Sequence, residues 1–147
     1  LAIEVLEETL ITDGGDQAAK TIHRLSQAGF DIELDDFGSG YAALSNLASM
    51  PLSAVKLDRS LVAPLPDRGS EAIVNAVVSL CHDLGLKVIG EGVETRAHAE
   101  ILERLGCDVM QGFALARPMS WEQANKWLAL RGRGAAGAST RRAGDAA

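Results

Sequence analysis

Ionisable side chains recur in this chain at the C-terminal edges of short apolar runs. Glu4 and Glu7 stand at the end of the first run, Asp35-Asp36 at the end of the second, and Lys56 with Asp58 at the end of the third. Glu91 with Glu94 follows the fourth, and Gln111 the fifth. A strand-end acid taken alone is usually only solvated. Five runs that each present an acid, amine or amide at one level form a pattern. If Glu4, Asp35, Asp36 and Glu91 converge, their charges repel unless cations occupy the space between them. Carboxylate oxygens favour Mg²⁺ or Mn²⁺ over zinc. Two such ions about 3.5–4 Å apart are a common device for phosphodiester hydrolysis.

The sharpest local motif is Asp35-Asp36-Phe37-Gly38-Ser39-Gly40-Tyr41. Adjacent carboxylates on a regular strand point to opposite faces. Both could address one site only where the backbone turns, and Gly38 and Gly40 permit a tight loop beyond. The competing reading is a glycine-rich turn with a solvated acid pair. A kinase-type Asp-Phe-Gly is excluded, since neither a glycine-rich phosphate loop nor a His-Arg-Asp motif accompanies it.

The elements that would position these residues alternate. Ala2–Leu6, Phe30–Leu34, Ala54–Leu57, Lys87–Gly90 and Asp108–Gln111 read as strands. Asp16–Ala28, Tyr41–Ala48, Ser70–Leu84, Thr95–Leu105 and Ser120–Leu130 read as helices, with Ser70 as an N-cap and Ser120/Gln123 as a capping box. Strand–helix repetition predicts an α/β fold with parallel strands, whose sites lie at the strands' C-terminal ends. Along the strands Ala2 shares a face with Glu4, Ala54 with Lys56, Ile89 with Glu91 and Val109 with Gln111: apolar below, polar on top. Five units suit an open doubly wound sheet, or a bit more than half of an eight-stranded barrel.

Bulk properties narrow the function further. Of 147 residues 47% are hydrophobic and only 4% aromatic, so the core must be aliphatic. The net charge is −6, and residues 1–130 carry ten basic and nineteen acidic residues. That balance excludes a general DNA binder and suits metal cations. Cys81 and Cys107 complete no ligand spacing and read as reduced structural cysteines. His23, His82 and His98 read as surface or boundary residues, and Trp121 and Trp127 as helix-packing residues. No apolar run approaches the roughly 20 residues of a membrane span, so this segment is expected to make no membrane contact. The Gly/Ala/Arg-rich stretch 131–147 reads as a disordered tail after a domain of residues 1–130. Leu1–Leu6 begins in mid-strand without Met, as a piece of a longer chain would.

Four motifs occur in order: Asp35–Tyr41, Val55-Lys56-Leu57-Asp58-Arg59-Ser60, Gly90-Glu91-Gly92-Val93-Glu94-Thr95, and Met110-Gln111-Gly112-Phe113 with Arg117-Pro118. Together, over residues 1–130, they closely resemble the EAL-domain family of bacterial cyclic-di-GMP phosphodiesterases. The resemblance implies a TIM-like (β/α)8 barrel, here an incomplete barrel of about the last five βα units. It implies hydrolysis of cyclic di-GMP to linear pGpG with two Mg²⁺ or Mn²⁺ ions. Carried over by position, Glu4, Asp35, Asp36 and Glu91 resemble metal ligands. Glu91 and Lys56 resemble the catalytic base and the lysine that holds water or phosphate. Glu94, Gln111 and Gly112 resemble substrate-binding residues. Glu7, Gly38, Ser39 and Gly40 resemble the anchor and body of the site loop. Bland roles stand beside these: Lys56 as a solvated lysine, Glu94 as a helix cap, Gln111 as a backbone hydrogen-bonding partner.

The resemblance further implies cytoplasmic signalling in biofilm and motility control. It implies an upstream sensor or diguanylate-cyclase domain in a parent that could be membrane-anchored, and admits a homodimer. The chain departs from the family pattern at Leu6 (usually Thr), Ser39 (usually Thr) and Glu33 (usually small), and it holds no Glu-Ala-Leu motif and no Asn-bearing strand. The alternative is therefore a degenerate cyclic-di-GMP receptor. The partial barrel alone is expected to be inactive and, with two unpaired edge strands, prone to associate.

Overall fold

The computed structural model describes residues 1–10, 15–40 and 44–138. The chain divides into two compact units, Leu1–Ala116 and Arg117–Ala147. The first holds a five-stranded parallel sheet in the order β1-β2-β3-β4-β5, built from Ala2–Leu6, Asp31–Phe37, Ala54–Leu57, Lys87–Gly90 and Val109–Met110. Helices α1 (Gly15–Gln27), α2 (Leu44–Ser49), α3 (Arg59–Val62), α4 (Arg68–Asp83) and α5 (Arg96–Leu105) connect the strands. The alternation of short apolar and longer amphipathic segments thus yields the α/β arrangement its periodicity predicts.

The pleat sorts the strand residues onto two faces. Ile32 and Leu34 of β2, Val55 and Leu57 of β3 and Val88 of β4 are fully buried. Leu34, Val55, Leu57 and Val88 pack with Val74, Val78 and Cys81 of α4 and Leu102 of α5. The opposite face carries Glu4, Glu33, Asp35, Ala54, Lys56 and Ile89, as the register pairs Glu4↔Glu33, Glu33↔Ala54 and Lys56↔Ile89 show. The core face therefore anchors the sheet, while the other face delivers ionisable groups to one end. Cys81 and Cys107 are buried free thiols in this core, and burial pushes Cys81 up to about 11.

Several boundaries differ from the sequence reading. Strand β2 runs on through Asp35 and Asp36 to Phe37 instead of stopping at Leu34. Helix α4 starts three residues early in sequence terms: Asp67, not Ser70, is its N-cap, and its carboxylate accepts from Ser70 N at 3.0 Å. The two short helical turns Glu7–Leu10 (3-10) and Arg59–Val62 were not expected, being too short to show a period. Tyr41–Ala43, where the second helix was placed to begin, lie outside the described residues. Helix α5 starts and ends as read, with Thr95 Oγ1 accepting from His98 N at 3.1 Å and Gly106 in a left-handed C-cap.

In the second unit, α6 (Trp121–Ala138) opens on the expected capping box. Ser120 N donates to Gln123 Oε1 at 3.0 Å, and Gln123 N to Ser120 Oγ at 3.4 Å. The helix continues past Leu130 into the stretch read as a disordered tail. Local propensity does not account for the extension, since Gly132, Gly134 and Gly137 in that stretch offset its alanines and arginines. Residues 139–147 lie outside the described residues. Trp121 is 77% exposed and does not pack as expected, whereas Trp127 is half-buried. Among the described residues no helix is long and apolar enough to cross a membrane.

Candidate functional site

The site forms where the ends of β2, β3 and β4 meet. At the end of β2 the register slips. Leu34 pairs with Val55 and Phe37 with Leu57, so three steps on β2 oppose two on β3. Asp36, at φ +56°, is the one described non-glycine residue with a positive φ. Aspartate tolerates this region better than most residues, and a bulge re-aims the side chains that follow it. The turn that two adjacent carboxylates require is therefore a bulge inside the strand. It brings carboxylate oxygens of Asp35, Asp36 and Glu91 within 4.8 Å of one another.

Lys56, on β3, projects into the same space. Its Nζ donates to Glu4 Oε1 at 2.8 Å and forms ion pairs with Asp35 Oδ1 and Glu91 Oε1, both at 2.9 Å. The Lys56 side chain is only 9% exposed, which rules out the solvated-lysine reading. Burial acts to lower its pKa, but the carboxylates of Glu4, Asp35 and Glu91 outweigh burial and hold it above the ordinary lysine range. Loss of solvation raises the Asp36 carboxyl, helped by the negative charges of Asp35 and Asp58 and opposed by Lys56. One ammonium thus faces three carboxylates directly, with a fourth beside them.

The donor set fits a hard divalent cation. Asp35 Oδ1 is buried and has no well-directed hydrogen bond among the described residues; its approach to Lys56 Nζ is a charge contact off the hydrogen-bonding direction. This buried carboxylate oxygen, flanked by Asp36 and Glu91 oxygens and balanced by the Lys56 ammonium, has the chemistry of a ligand to a hard cation. Glu4 contacts Lys56 but does not belong to the three-carboxylate group.

The loop after β2 is held from beneath. Glu7, 3% exposed, accepts from Gly38 N at 2.8 Å through Oε2. A Cβ on Gly40 would lie 3.2 Å from Glu7 Oε1. Leu6, Glu7, Glu8, Asp36, Ser39 and Gly40 line a cavity of about 230 Å³ there. Glu33 is half-buried on the face of Asp35, opposite Glu4 and Ala54 in register, as alternation predicts.

A second cleft of about 240 Å³ opens on the other side of Glu91, lined also by Arg59, Glu94, Gln111, Gly112 and Phe113. Glu94 does not cap α5, because Thr95 does; Glu94 Oε1 pairs with Arg59 Nη2 at 2.9 Å. The backbone of Gln111 bonds to β4 and its loop, N to Gly90 O at 2.8 Å and O from Val93 N at 3.1 Å, while its side chain lines the cleft. Sequence reasoning missed Arg59, which the Lys56-x-Asp58 pattern overshadowed. It also read His98 as a surface or boundary residue. His98 is 7% exposed, and its Nδ1 accepts from Glu94 N at 3.4 Å, steadying the loop that carries Glu91 and Glu94. His82 lies outside the site, paired with Asp108 at 3.0 Å.

The carboxylate cluster lies at the C-terminal edge of a parallel α/β sheet, where such folds carry their sites. The chain belongs to the EAL domain family, whose model matches residues 1–118. It is 45% identical over 124 residues to the bifunctional diguanylate cyclase/cyclic di-GMP phosphodiesterase MucR of Pseudomonas aeruginosa, covering 84% of this chain and 18% of MucR. It is similar to the solved MucR phosphodiesterase in its cyclic-di-GMP complex (TM-score 0.77, 84% of this chain and 50% of that one). It is also similar to Klebsiella pneumoniae BlrP1 in a manganese/cyclic-di-GMP complex (40% identity, TM-score 0.74, 80% of this chain and 30% of that one). The chain spans less than a quarter of the length of the curated relatives it matches. The fold is that of the EAL family's TIM-like barrel, present here as five of its βα units.

Proposed function

We propose that this chain supplies the larger part of a cyclic-di-GMP phosphodiesterase site that yields linear pGpG. The observation that carries this reading is Lys56 enclosed by Glu4, Asp35 and Glu91, with Asp36 turned toward them by the bulge. Asp35, Asp36 and Glu91, with Glu4 beyond Lys56, would hold two Mg²⁺ or Mn²⁺ ions. Bound there, such ions supply charge neutralisation at the phosphate and acidify water. Lys56 places its ammonium beside a non-bridging phosphate oxygen. Glu91 would take a proton from the attacking water as the water oxygen bonds to phosphorus; the P–O3′ bond breaks and the leaving 3′-oxygen takes up a proton from solvent water. Glu94, Gln111 and Gly112 line the nucleotide cleft, and Glu7 holds the Gly38–Gly40 loop. The segment would act inside a longer cytoplasmic protein with a sensor or diguanylate-cyclase domain, and as a homodimer.

The test is chromatographic detection of pGpG from the full-length protein with Mg²⁺ or Mn²⁺. Glu91→Gln is expected to lower kcat by about 10²–10⁴. Asp35→Asn is expected to weaken Mn²⁺ binding measured by calorimetry. An absence of both turnover and metal binding sinks the proposal. Tight cyclic-di-GMP binding without turnover supports the receptor reading instead, toward which the half-buried Glu33 on the face of Asp35 points.

A further inference from the structure

The hydrolytic chemistry above leaves one buried imidazole unused. His98 is the third residue of α5, and its side chain reaches backward out of the helix into the loop after β4. Its own N donates to Thr95 Oγ1 at 3.1 Å, and its Nδ1 accepts from Glu94 N at 3.4 Å. The arrangement is a capping box moved by one residue: the side chain at the third helical position serves the amide before the N-cap in place of the N-cap amide. A backbone N–H only donates, so Nδ1 is the ring nitrogen that bears no proton.

The amide that His98 receives belongs to the peptide unit joining Val93 to Glu94. The carbonyl end of that unit is held from the other side, where Val93 O accepts from Ala114 N at 2.9 Å. A peptide unit is planar, so fixing its two ends from two elements fixes its rotation. That rotation sets the backbone angle at Glu94 and hence the direction in which its side chain leaves. The direction matters because the partner is seated firmly. Glu94 Oε1 meets Arg59 Nη2 at 2.9 Å. The Arg59 stem lies over Gly92, where an added Cβ would come within 2.6 Å of Arg59 Cγ. Val93, fully buried, also donates from N to Gln111 O at 3.1 Å, which shields Glu91 from movement at Glu94.

We infer that His98 is a positioning residue: its Nδ1 fixes the Val93–Glu94 peptide plane and thereby aims the Glu94 carboxylate across the cleft. The inference rests on the cyclic-di-GMP reading above, in which Glu94 lines the nucleotide cleft. Because the plane acts on Glu94 and not on Glu91, His98 governs how substrate is held and leaves the chemical step alone.

The test compares His98→Leu, which keeps bulk and removes the acceptor, with His98→Asn, whose Oδ1 stands as far along the side chain as Nδ1 does. In the full-length protein with Mn²⁺, His98→Leu is expected to raise KM for cyclic di-GMP by about 2- to 10-fold, the worth of one hydrogen bond. The kcat should stay within about twofold, as loss of uniform binding requires. KM does not depend on the fraction of protein folded, so a variant that is merely destabilised leaves it unmoved. His98→Asn should return KM to within about twofold of the native value. In a Glu94→Ala background His98→Leu should change KM by less than about 1.5-fold, because its route of action is gone. Without metal or nucleotide, hydrogen exchange at the Glu94 amide should quicken in His98→Leu and recover in His98→Asn. Unchanged KM or unchanged exchange in His98→Leu would overturn the inference and leave His98 as a buried helix-cap residue. An Asn variant as impaired as the Leu variant would overturn it by assigning the effect to packing, and an equal KM effect with and without Glu94 would place the action elsewhere. If the unsubstituted protein neither binds nor cleaves cyclic di-GMP, the parent reading falls and this one falls with it.

Discussion

Two cation–carboxylate groupings stand a few residues apart at the same end of the sheet, and they are built on opposite terms. Lys56 is 9% exposed and touches three carboxylates, whereas Arg59 is 64% exposed and touches one. In the first grouping the ammonium is nearly out of water and two of its three carboxylates, Asp35 and Glu91, are mostly covered, so removing Lys56 leaves them uncompensated. The second is in water, where each charge is already solvated and the contact adds little. Both cations come from the end of β3 and its following turn, and both anions Glu91 and Glu94 from the loop after β4. Depth alone separates them. A buried, over-negative cluster suits the holding of cations; an exposed, evenly matched pair can open to admit a ligand without costing the fold.

The largest expected effect follows from breaking the buried grouping. Lys56→Met removes the one ammonium that touches Glu4, Asp35 and Glu91 among the described residues. In metal-free buffer it should destabilise the protein by about 3–5 kcal/mol in urea unfolding, and millimolar Mn²⁺ should recover part of that loss by replacing the missing positive charge. No recovery would mean that the carboxylates do not share a cation. The pH dependence has a definite sign. A lysine whose folded pKa is raised contributes stability that is fully present below its unfolded value of about 10.4, and that is lost as pH climbs from there through the folded value. The stability gap between native protein and Lys56→Met should therefore hold at neutral pH and, on the alkaline side, close only in strong alkali.

Much of this contrast was legible in the sequence, and the remainder was hidden for identifiable reasons. The residues of the buried cluster follow from strand periodicity: Glu4, Asp35, Lys56 and Glu91 each close an apolar run, and a parallel sheet must align such ends. The device that lets Asp35 and Asp36 act together was only half visible. Two adjacent acids show that the backbone must turn, but whether it does so past the strand or by a bulge within it depends on register with β3, a long-range property. The exposed pair was not visible. Arg59 reaches Glu94 across 35 residues of sequence, and nothing in either residue's local pattern couples them. His98 was misplaced because a helical period marks which face it occupies, while its depth depends on the Glu94 loop folding over it.

A smaller effect tests whether the exposed region, too, rests on a rigid floor. A Cβ on Gly112 would run into the backbone N and O of Val93 and approach its carbonyl carbon to 2.6 Å. Val93 cannot retreat freely, since its N donates to Gln111 O at 3.1 Å and its O accepts from Ala114 N at 2.9 Å. Gly112→Ala should cost about 1–3 kcal/mol, read as a lowered urea midpoint. Nucleotide affinity should fall with it, because Gln111 and Phe113 flank the displaced segment. A variant as stable as the native protein would show that the floor is pliable, and that rigidity in this domain ends at the buried cluster.

The smallest effect is the most diagnostic for the contrast itself. A double-mutant cycle on Arg59→Ala and Glu94→Ala, read by urea unfolding without nucleotide, should give a coupling of no more than about 1 kcal/mol, since solvent competes for both partners. The value should shrink further at high salt, where exposed pairs are screened and buried ones are not. The same cycle between Lys56 and Glu91 should give several times more and should resist salt. If the two couplings prove equal, depth is not what distinguishes the groupings, and Arg59 must be counted part of the fold's scaffold. If they differ as expected, Arg59 is held in place by the stem packed over Gly92 and hardly at all by its charge, which leaves the guanidinium free to exchange Glu94 for a ligand.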